Sequence, residues 1–405
     1  MPNTDSEKID HLLTRGVEQI IERGHLVSAL RSGKKLRVKL GIDPTGEHIH
    51  IGRAIALWKL REFQELGHQI VLIIGDFTAQ IGDPSDKLAK RPLLTKEQVK
   101  KNMKTYLPQI GKILDLKHTG VRYNSEWLSK LKFREVLELE EQFTFQQMLE
   151  RRNFKERLEK QQDISLREGM YPLMQGYDSV AVRADVELGG SDQLFNLLAG
   201  RKIQERYGQK SQDVMTTEML LGLDGRKMST TWENVINITD RADEQFGKVM
   251  SMRDEMIPNY LMLATDLPLR EVEQKIKLFR AKKINPKELK QELAHAIVRR
   301  YHGVKAADEA REKFEALFSK KDFSGELPEL NIDPTGKEKL FDLIVRSGVV
   351  ATKSRARILI QQGSIQITRN EKEMPAVKNY LATTHFLQDG DVLKIGKRHF
   401  FRIKI

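Results

Sequence analysis

Cysteine is absent from all 405 positions. The chain therefore forms no disulfide, offers no thiolate nucleophile, and holds neither cysteine-ligated zinc nor a cysteine-bound iron–sulfur cluster. Long apolar stretches are missing too. The densest, Ile70 to Ile74, is five residues long, against the ~20 that a spanning helix needs. The opening MPNTDSEKID is polar and acidic, without the basic-then-apolar order of a secretory signal. Neither an internal repeat nor a low-complexity tract is present. These absences point to a soluble, cytoplasmic protein with no membrane partner.

What the chain does carry is positive charge: 69 Lys plus Arg against 57 Asp plus Glu, a net of +12. An anionic partner is the first inference. Placement sharpens it, because residues 337–405 hold 14 Lys plus Arg and 6 Asp plus Glu, a surplus of 8. A basic terminal module beside a nearly balanced body is the pattern of a nucleic-acid-binding end. Charge alone is equally compatible with a solvated cationic surface. At roughly 150 residues per domain, the length allows two or three domains.

Hydrophobic periodicity reads as α/β. Thr4 and Glu7 have the spacing of a capping box, ahead of helix-spaced Ile9, Leu12, Leu13, Val17, Ile20 and Ile21. Ser32-Gly33 stops that region, and LRVKLGI (36–42) reads as a strand. The loop DPTGEHIH leads into a helix carrying Ile55, Leu57, Leu60 and Phe63, which ends at Gly67. QIVLIIG (69–75) is continuously apolar, like a strand buried on both faces of a parallel sheet. Thr95 and Gln98 cap another helix, and AVRADVEL (181–188) reads as a strand running through Gly189-Gly190 into a helix from about Asp192. Such alternation gives a parallel sheet with right-handed crossovers. After about Asp240 the pattern is helical to about Phe318. Residues 319–336 have the content of a linker, and the remainder mixes two short helices with strands such as SIQIT and DVLKI.

Three constellations carry chemistry. The first, Asp43-Pro44-Thr45 through His50-Ile51-Gly52-Arg53, spans a strand end and a helix start. Free N–H groups and the helix dipole suit that place to phosphate, although a lone His-x-Gly is also an ordinary helix start. The second, Lys227-Met228-Ser229-Thr230-Thr231, offers a cation and hydroxyls on a loop that could clamp a polyphosphate, or is a solvated turn. The third is Tyr171, Gln175 and Asp178, at i, i+4 and i+7. On a helix they present a phenol, an amide and a carboxylate along one face, unless that face is simply a solvated stripe.

In this order and on these elements, the three together resemble the class I aminoacyl-tRNA synthetases, and among them the bacterial tyrosyl-tRNA synthetase family. The likeness runs over nearly the whole chain. DPT…HIG is similar to the HIGH signature, KMSTT to the KMSKS loop and YPLMQGYD to the tyrosine-binding helix, with IGDPS (81–85) and GGSDQ (189–193) as further pieces. SGVVATKSRARILIQQGSIQIT is similar to the αL-type RNA-binding fold appended to bacterial members. The implied architecture is a Rossmann-like catalytic domain over 1–238 with a connective insertion near 125–165. A helical anticodon-arm-binding domain (239–320), a linker (321–336) and the αL-type domain (337–405) would follow.

The resemblance implies a tyrosine–tRNA ligase that uses ATP with Mg²⁺ to form tyrosyl-adenylate and then charges tRNA(Tyr), acting as a homodimer. Thr45, His50, Lys87, Arg91, Lys227 and Ser229 would stabilise the departing pyrophosphate. Gly52, Arg53, Asp192, Met228 and Thr230 would line the nucleotide. Asp43, Asp83, Tyr171, Gln175 and Gln193 would hold the ammonium and carboxyl groups, Asn124 would support them, and Asp178 would accept the phenol hydroxyl. Arg151 and Arg152 would meet the acceptor stem, and Lys353, Arg355 and Arg357 would track RNA phosphates. No protein-bound metal is implied. Three departures stand out: Arg53 replaces the second His of HIGH, Thr230 the second Lys of KMSKS, and Lys39 a second phenol-binding tyrosine. The rival readings are a tryptophanyl enzyme and an RNA-binding relative that has lost catalysis.

Overall fold

The computed structural model describes residues 1–405 apart from 86–93, 230, 231, 233, 321, 324, 326, 371 and 397, and apart from the side chains at 152, 319 and 320. Two compact units are formed. One comprises Met1–Arg241 with Met252–Gly303, the other Ala242–Ser251 with Val304–Ile405. None of the described helices is long and apolar enough to cross a membrane.

The first unit is built on six strands: β1 (Val17–Ile21), β2 (Arg37–Ile42), β3 (Gln69–Ile74), β4 (Thr119–Tyr123), β5 (Val186–Gly190) and β6 (Asp213–Thr217). They lie in the order β1-β6-β5-β2-β3-β4. All neighbours are parallel except the edge pair of β1 and β6. β3 is buried on both faces, with Ile70, Leu72 and Ile73 fully enclosed, which is why its sequence does not alternate. The helix Ile51–Glu65 crosses from β2 to β3 on Ala54, Leu57, Leu60 and Phe63, all fully buried. Leu57, Leu60 and Phe63 each contribute ~1.5–3 kcal/mol relative to exposure. β2, β3 and β4 march outward in chain order, whereas β5 returns beside β2. That reversal opens a crevice at the carboxyl ends of β2 and β5, where open α/β sheets bind ligands.

Three local expectations change. The first helix spans Ser6–Thr14 and is capped by Asp5, whose side chain accepts from the amides of Glu7 and Lys8, so Thr4 is not the cap. It stops because Gly16 takes φ +64°, and Val17, Ile20 and Ile21 fall in β1 instead of extending the helix. Downstream, the helix Leu166–Val182 continues through Ala181 and Val182 and ends on Arg183 at φ 50°. Only Val186–Gly190 of the expected 181–188 strand region and its following glycines is extended.

The second unit holds a five-stranded sheet of β7 (Glu329–Asn331), β8 (Ile365–Arg369), β9 (Lys372–Glu373), β10 (Val392–Ile395) and β11 (His399–Lys404), in the order β7-β11-β10-β8-β9. Helices Leu340–Arg346 and Lys353–Gln361 close its core through Leu340, Leu343, Ile344, Ala356 and Ile360. β7 lies inside the segment read as linker, where Pro and Gly masked a three-residue strand paired with β11. The helical stretch 239–320 is divided between the units: the short helix Ala242–Ser251 buries Phe246 against Phe314, with ring centroids 5.4 Å apart, and so joins the later chain.

Candidate active site

The loop that leaves β2 at Asp43 is held by the helix Lys96–Ile110. Asn102 Nδ2 donates to the Pro44 carbonyl (2.9 Å), Thr105 Oγ1 and Gln109 Nε2 donate to that of Glu47 (2.7 and 2.8 Å), and the Ile49 amide donates to Gln109 Oε1 (2.8 Å). Positions 102, 105 and 109 share one helical face, a polar stripe that sequence reading passed over. From the other side, Ile51 N donates to the Ile236 carbonyl (2.8 Å) and Ile238 N to that of Ile49 (2.9 Å), with His50 bridged to Asn237. The first signature is therefore stitched to residues 236–238, a few positions beyond the second. His50 caps the helix Ile51–Glu65, its Nδ1 accepting from the Arg53 amide at 3.3 Å, so the positive end of the helix opens onto the loop.

Arg53 lies across the same loop. Its Nη2 donates to Thr45 Oγ1 and its Nη1 to Tyr106 OH, both at 2.8 Å. Gly52 is where the signatures touch: a Cβ there would stand 3.0 Å from Met228 Sδ and 3.1 Å from His50 Nδ1. Lys227 Nζ pairs with Asp192 at 2.8 Å. The Ser229 amide donates to Asn234 Oδ1 (2.8 Å), and Asn234 Nδ2 donates to the Lys227 carbonyl (3.0 Å). One end of the crevice thus combines a helix N-terminus with two cations. Lys87, Arg91 and Thr230 lie outside the described residues.

The other end is acidic. Tyr171, Gln175 and Asp178 sit on the helix Leu166–Val182 as their spacing requires. Asp43 accepts from Thr78 Oγ1 (2.7 Å) and from Tyr171 OH (2.9 Å). Asp178 accepts from Trp127 Nε1 (2.7 Å) and Asn124 Nδ2 (3.4 Å), and Asn124 also donates to Thr78 Oγ1 (2.9 Å). Burial dominates both carboxyls and pushes each up to about 7, against the hydrogen bonds that favour the charged forms. The Tyr171 phenol is held well above its ordinary value, first by burial and then by Asp43. Asp83 accepts from Ser85 and from Gln193 Nε2 (2.6 Å). Asn196 Nδ2 ties Gln175 and Gln193 together at 3.0 Å each.

Thr78, Trp127 and Asn196 were missed in sequence because each is a common polar or aromatic residue with no motif spacing. Gly75, at the end of β3, was missed as well: a Cβ there would collide with Asp43 Oδ1 and Thr78 Oγ1. Gly75→Ala should therefore swing the Asp43 carboxylate away and reduce turnover at least ~100-fold, as a ~1 Å misplacement does. The denaturation midpoint should fall as well, because the buried hydrogen bond between Thr78 and Asp43 is displaced. Unaltered turnover would show that the glycine serves packing alone.

Arg151 is not at the surface. It is 7% exposed, with its guanidinium carbon 5.1 Å from the Phe154 centroid and 4.7 Å from that of Phe195. Its Nη2 donates to Ser85 Oγ (3.1 Å) and Asn196 Oδ1 (3.0 Å), and burial pushes its pKa down to about 10. So enclosed, it cannot reach an RNA phosphate, and the tRNA contact expected of Arg151 is withdrawn. The charged run MLERRNFK gave no sign of this burial. The side chain of Arg152 is outside the described set. Lys353, Arg355 and Arg357 lie exposed on the helix Lys353–Gln361 of the second unit, Lys353 paired with Asp342 at 2.7 Å and Arg357 over the Phe341 ring at 4.4 Å.

A crevice acidic at one end and cationic at the other suits an ammonium-bearing molecule beside a polyphosphate. A family model described as tRNA synthetases class I (W and Y) matches residues 31–319. The tyrosine–tRNA ligase of Thermotoga maritima is 45% identical over 97% of this chain and 96% of its own length. That of Carboxydothermus hydrogenoformans is 42% identical over 100% and 99% respectively. In fold, the chain is similar to the crystal structure of tyrosyl-tRNA synthetase complexed with L-tyrosine from Archaeoglobus fulgidus, with a TM-score of 0.60 at 22% identity over 76% of this chain and 99% of that one. The chain belongs to the class I (W and Y) tRNA synthetase family.

Proposed function

We infer that the chain ligates tyrosine to tRNA(Tyr): it activates tyrosine with ATP, releases pyrophosphate and transfers the tyrosyl group to the 3′ end of the tRNA. The observation that carries the choice of amino acid is the buried Asp178 carboxylate, braced by Trp127 and Asn124 at the far end of the Tyr171–Gln175–Asp178 face. It accepts the phenol hydroxyl. Asp43, Asp83, Tyr171 and Gln175 surround the ammonium group, and Gln193 serves the carboxyl group.

In activation, a tyrosine carboxylate oxygen bonds to the α-phosphorus as the bond to pyrophosphate breaks. The nucleophile is already anionic, so no general base is needed. Catalysis rests on positioning and on stabilising the departing charge. Thr45, His50, Arg53, Lys227 and Ser229 supply that stabilisation, with Lys87 and Arg91 in the same role. Gly52, Met228 and Thr230 line the nucleotide. Asp192 binds the ribose, which frees Lys227 for the phosphates. Mg²⁺ would arrive on ATP and neutralise part of its phosphate charge.

Tyrosine-dependent ATP–pyrophosphate exchange tests the reading, with Phe and Trp as controls. Exchange with tyrosine alone supports it, exchange with Trp replaces it by the tryptophanyl activity, and no exchange by a folded chain leaves an RNA-binding relative. Lys353, Arg355 and Arg357 contact tRNA phosphates. Arg355→Gln with Arg357→Gln should weaken tRNA binding and lower its salt slope by about one per lost contact, leaving exchange unchanged. An unaltered slope would remove these residues from the RNA surface.

The proposed setting is the cytoplasm and the proposed assembly a homodimer. Phe133 and Leu137 (78% and 43% exposed), on one face of the helix Phe133–Glu140, are apolar side chains a second copy would cover. Sedimentation at the 46.7 kDa monomer mass would contradict the dimer.

A further inference from the structure

Lys39 and Glu187 are register partners on the adjacent parallel strands β2 and β5. Their side chains meet at 2.8 Å with exposures of 0% and 1%. Lys39 Nζ also donates to the Gln175 carbonyl (2.9 Å) and to Ser179 Oγ (2.8 Å), which uses all three of its hydrogens. Glu187 accepts from Gln175 Nε2 (3.1 Å), Ser179 Oγ (3.0 Å) and Gln212 Nε2. Gly200 closes the space above: a Cβ there would stand 3.0 Å from Ser179 Oγ and 3.1 Å from Glu187 Oε2.

Buried ion pairs are a poor source of stability, since apolar replacements of equal volume are often neutral or better. This pair grips the helix Leu166–Val182 at Gln175 and Ser179, on either side of Asp178. The groups facing Asp178 are Lys39 from β2, Glu187 from β5, Asn124 and Trp127 from the segment after β4, and Tyr171 from its own helix. Lys39 favours the charged carboxylate and Glu187 opposes it.

We propose that the Lys39–Glu187 pair sets the charge state of Asp178 and through it the preference for tyrosine over phenylalanine, so that Lys39 is a positioning residue in place of a second phenol ligand. The proposal rests on Asp178 being the phenol acceptor. An ionised carboxylate accepts the hydroxyl in a charge-assisted bond. Against phenylalanine the same charge is stranded, at greater cost than a neutral acid. Selectivity therefore follows the ionised fraction of Asp178, and because burial holds that carboxyl near neutrality, selectivity rises with pH. Asp43 also titrates there, but both amino acids carry the ammonium group it serves, so it cancels in the ratio.

The test is kcat/KM for exchange with tyrosine and with phenylalanine, measured across neutral pH on the full chain and on three variants. Lys39→Met removes the attractive charge and should move the midpoint of the selectivity profile up by on the order of one pH unit. Glu187→Gln should move it down, and the double variant should return it toward the parent. Shifts in one common direction, or none, overturn the proposal, because a purely structural role has no sign. If Lys39→Met does not fold, the nearly isosteric Glu187→Gln decides alone, with a downward shift supporting the proposal and no shift overturning it. A parent profile flat with pH overturns the titration of Asp178. Absence of tyrosine-dependent exchange in the parent would instead overturn the function itself.

Discussion

Asp178→Asn will lose about three orders of magnitude of its preference for tyrosine over phenylalanine. Two effects add. Tyrosine gives up a hydrogen bond to a charged acceptor, ~1.5–3 kcal/mol, and phenylalanine no longer strands a buried carboxylate, a further ~1–3 kcal/mol. At 1.4 kcal/mol per tenfold, a combined ~4 kcal/mol is roughly 10³. Tyrosyl-tRNA synthetases are themselves the reference case for such discrimination, at about 10⁵ without editing. The exchange kcat/KM of the variant with each amino acid gives the ratio directly. Retention of the parental ratio would mean that the phenol is recognised elsewhere.

Lys227→Ala will lower the exchange kcat by about 10²–10³, or ~3–4 kcal/mol, while tyrosine affinity stays within about twofold. That is the scale for losing one preorganised donor to developing charge. The separation follows from position. Lys227 pairs with Asp192 at the cationic end, whereas among the described residues Tyr171 bonds Asp43, Gln175 bonds Glu187 and Asp178 bonds Trp127. Equilibrium dialysis with tyrosine beside single-turnover adenylate formation distinguishes the outcomes. A parallel fall in tyrosine affinity would place Lys227 in the amino-acid half, contrary to this geometry.

The sheet was legible because QIVLIIG is continuously apolar and LRVKLGI alternates apolar Leu36, Val38, Leu40 and Ile42 with other residues, and the tyrosine face because i, i+4, i+7 has one helical meaning. The helix ends were not. Val17, Ile20 and Ile21 fit a helix period, and only the left-handed turn at Gly16 moves them to β1. Arg151 misled because charge predicts exposure except where aromatic rings and polar partners enclose it. Thr78, Asn196 and the stripe at 102, 105 and 109 were beyond reach, because each acts on a residue dozens of positions away. Lys39 was noticed as a departure, but its partner Glu187 follows only from strand register.

The stitching of Ile49 and Ile51 to Ile238 and Ile236 has a consequence for synthesis. The first signature leaves the ribosome early, but its last amide partners lie almost 190 residues downstream. Contacts so distant in sequence form late, after the loop-closure cost has been met. The phosphate end of the site is thus completed only once the chain has been made past residue 238, by which time every strand of the first sheet is already present.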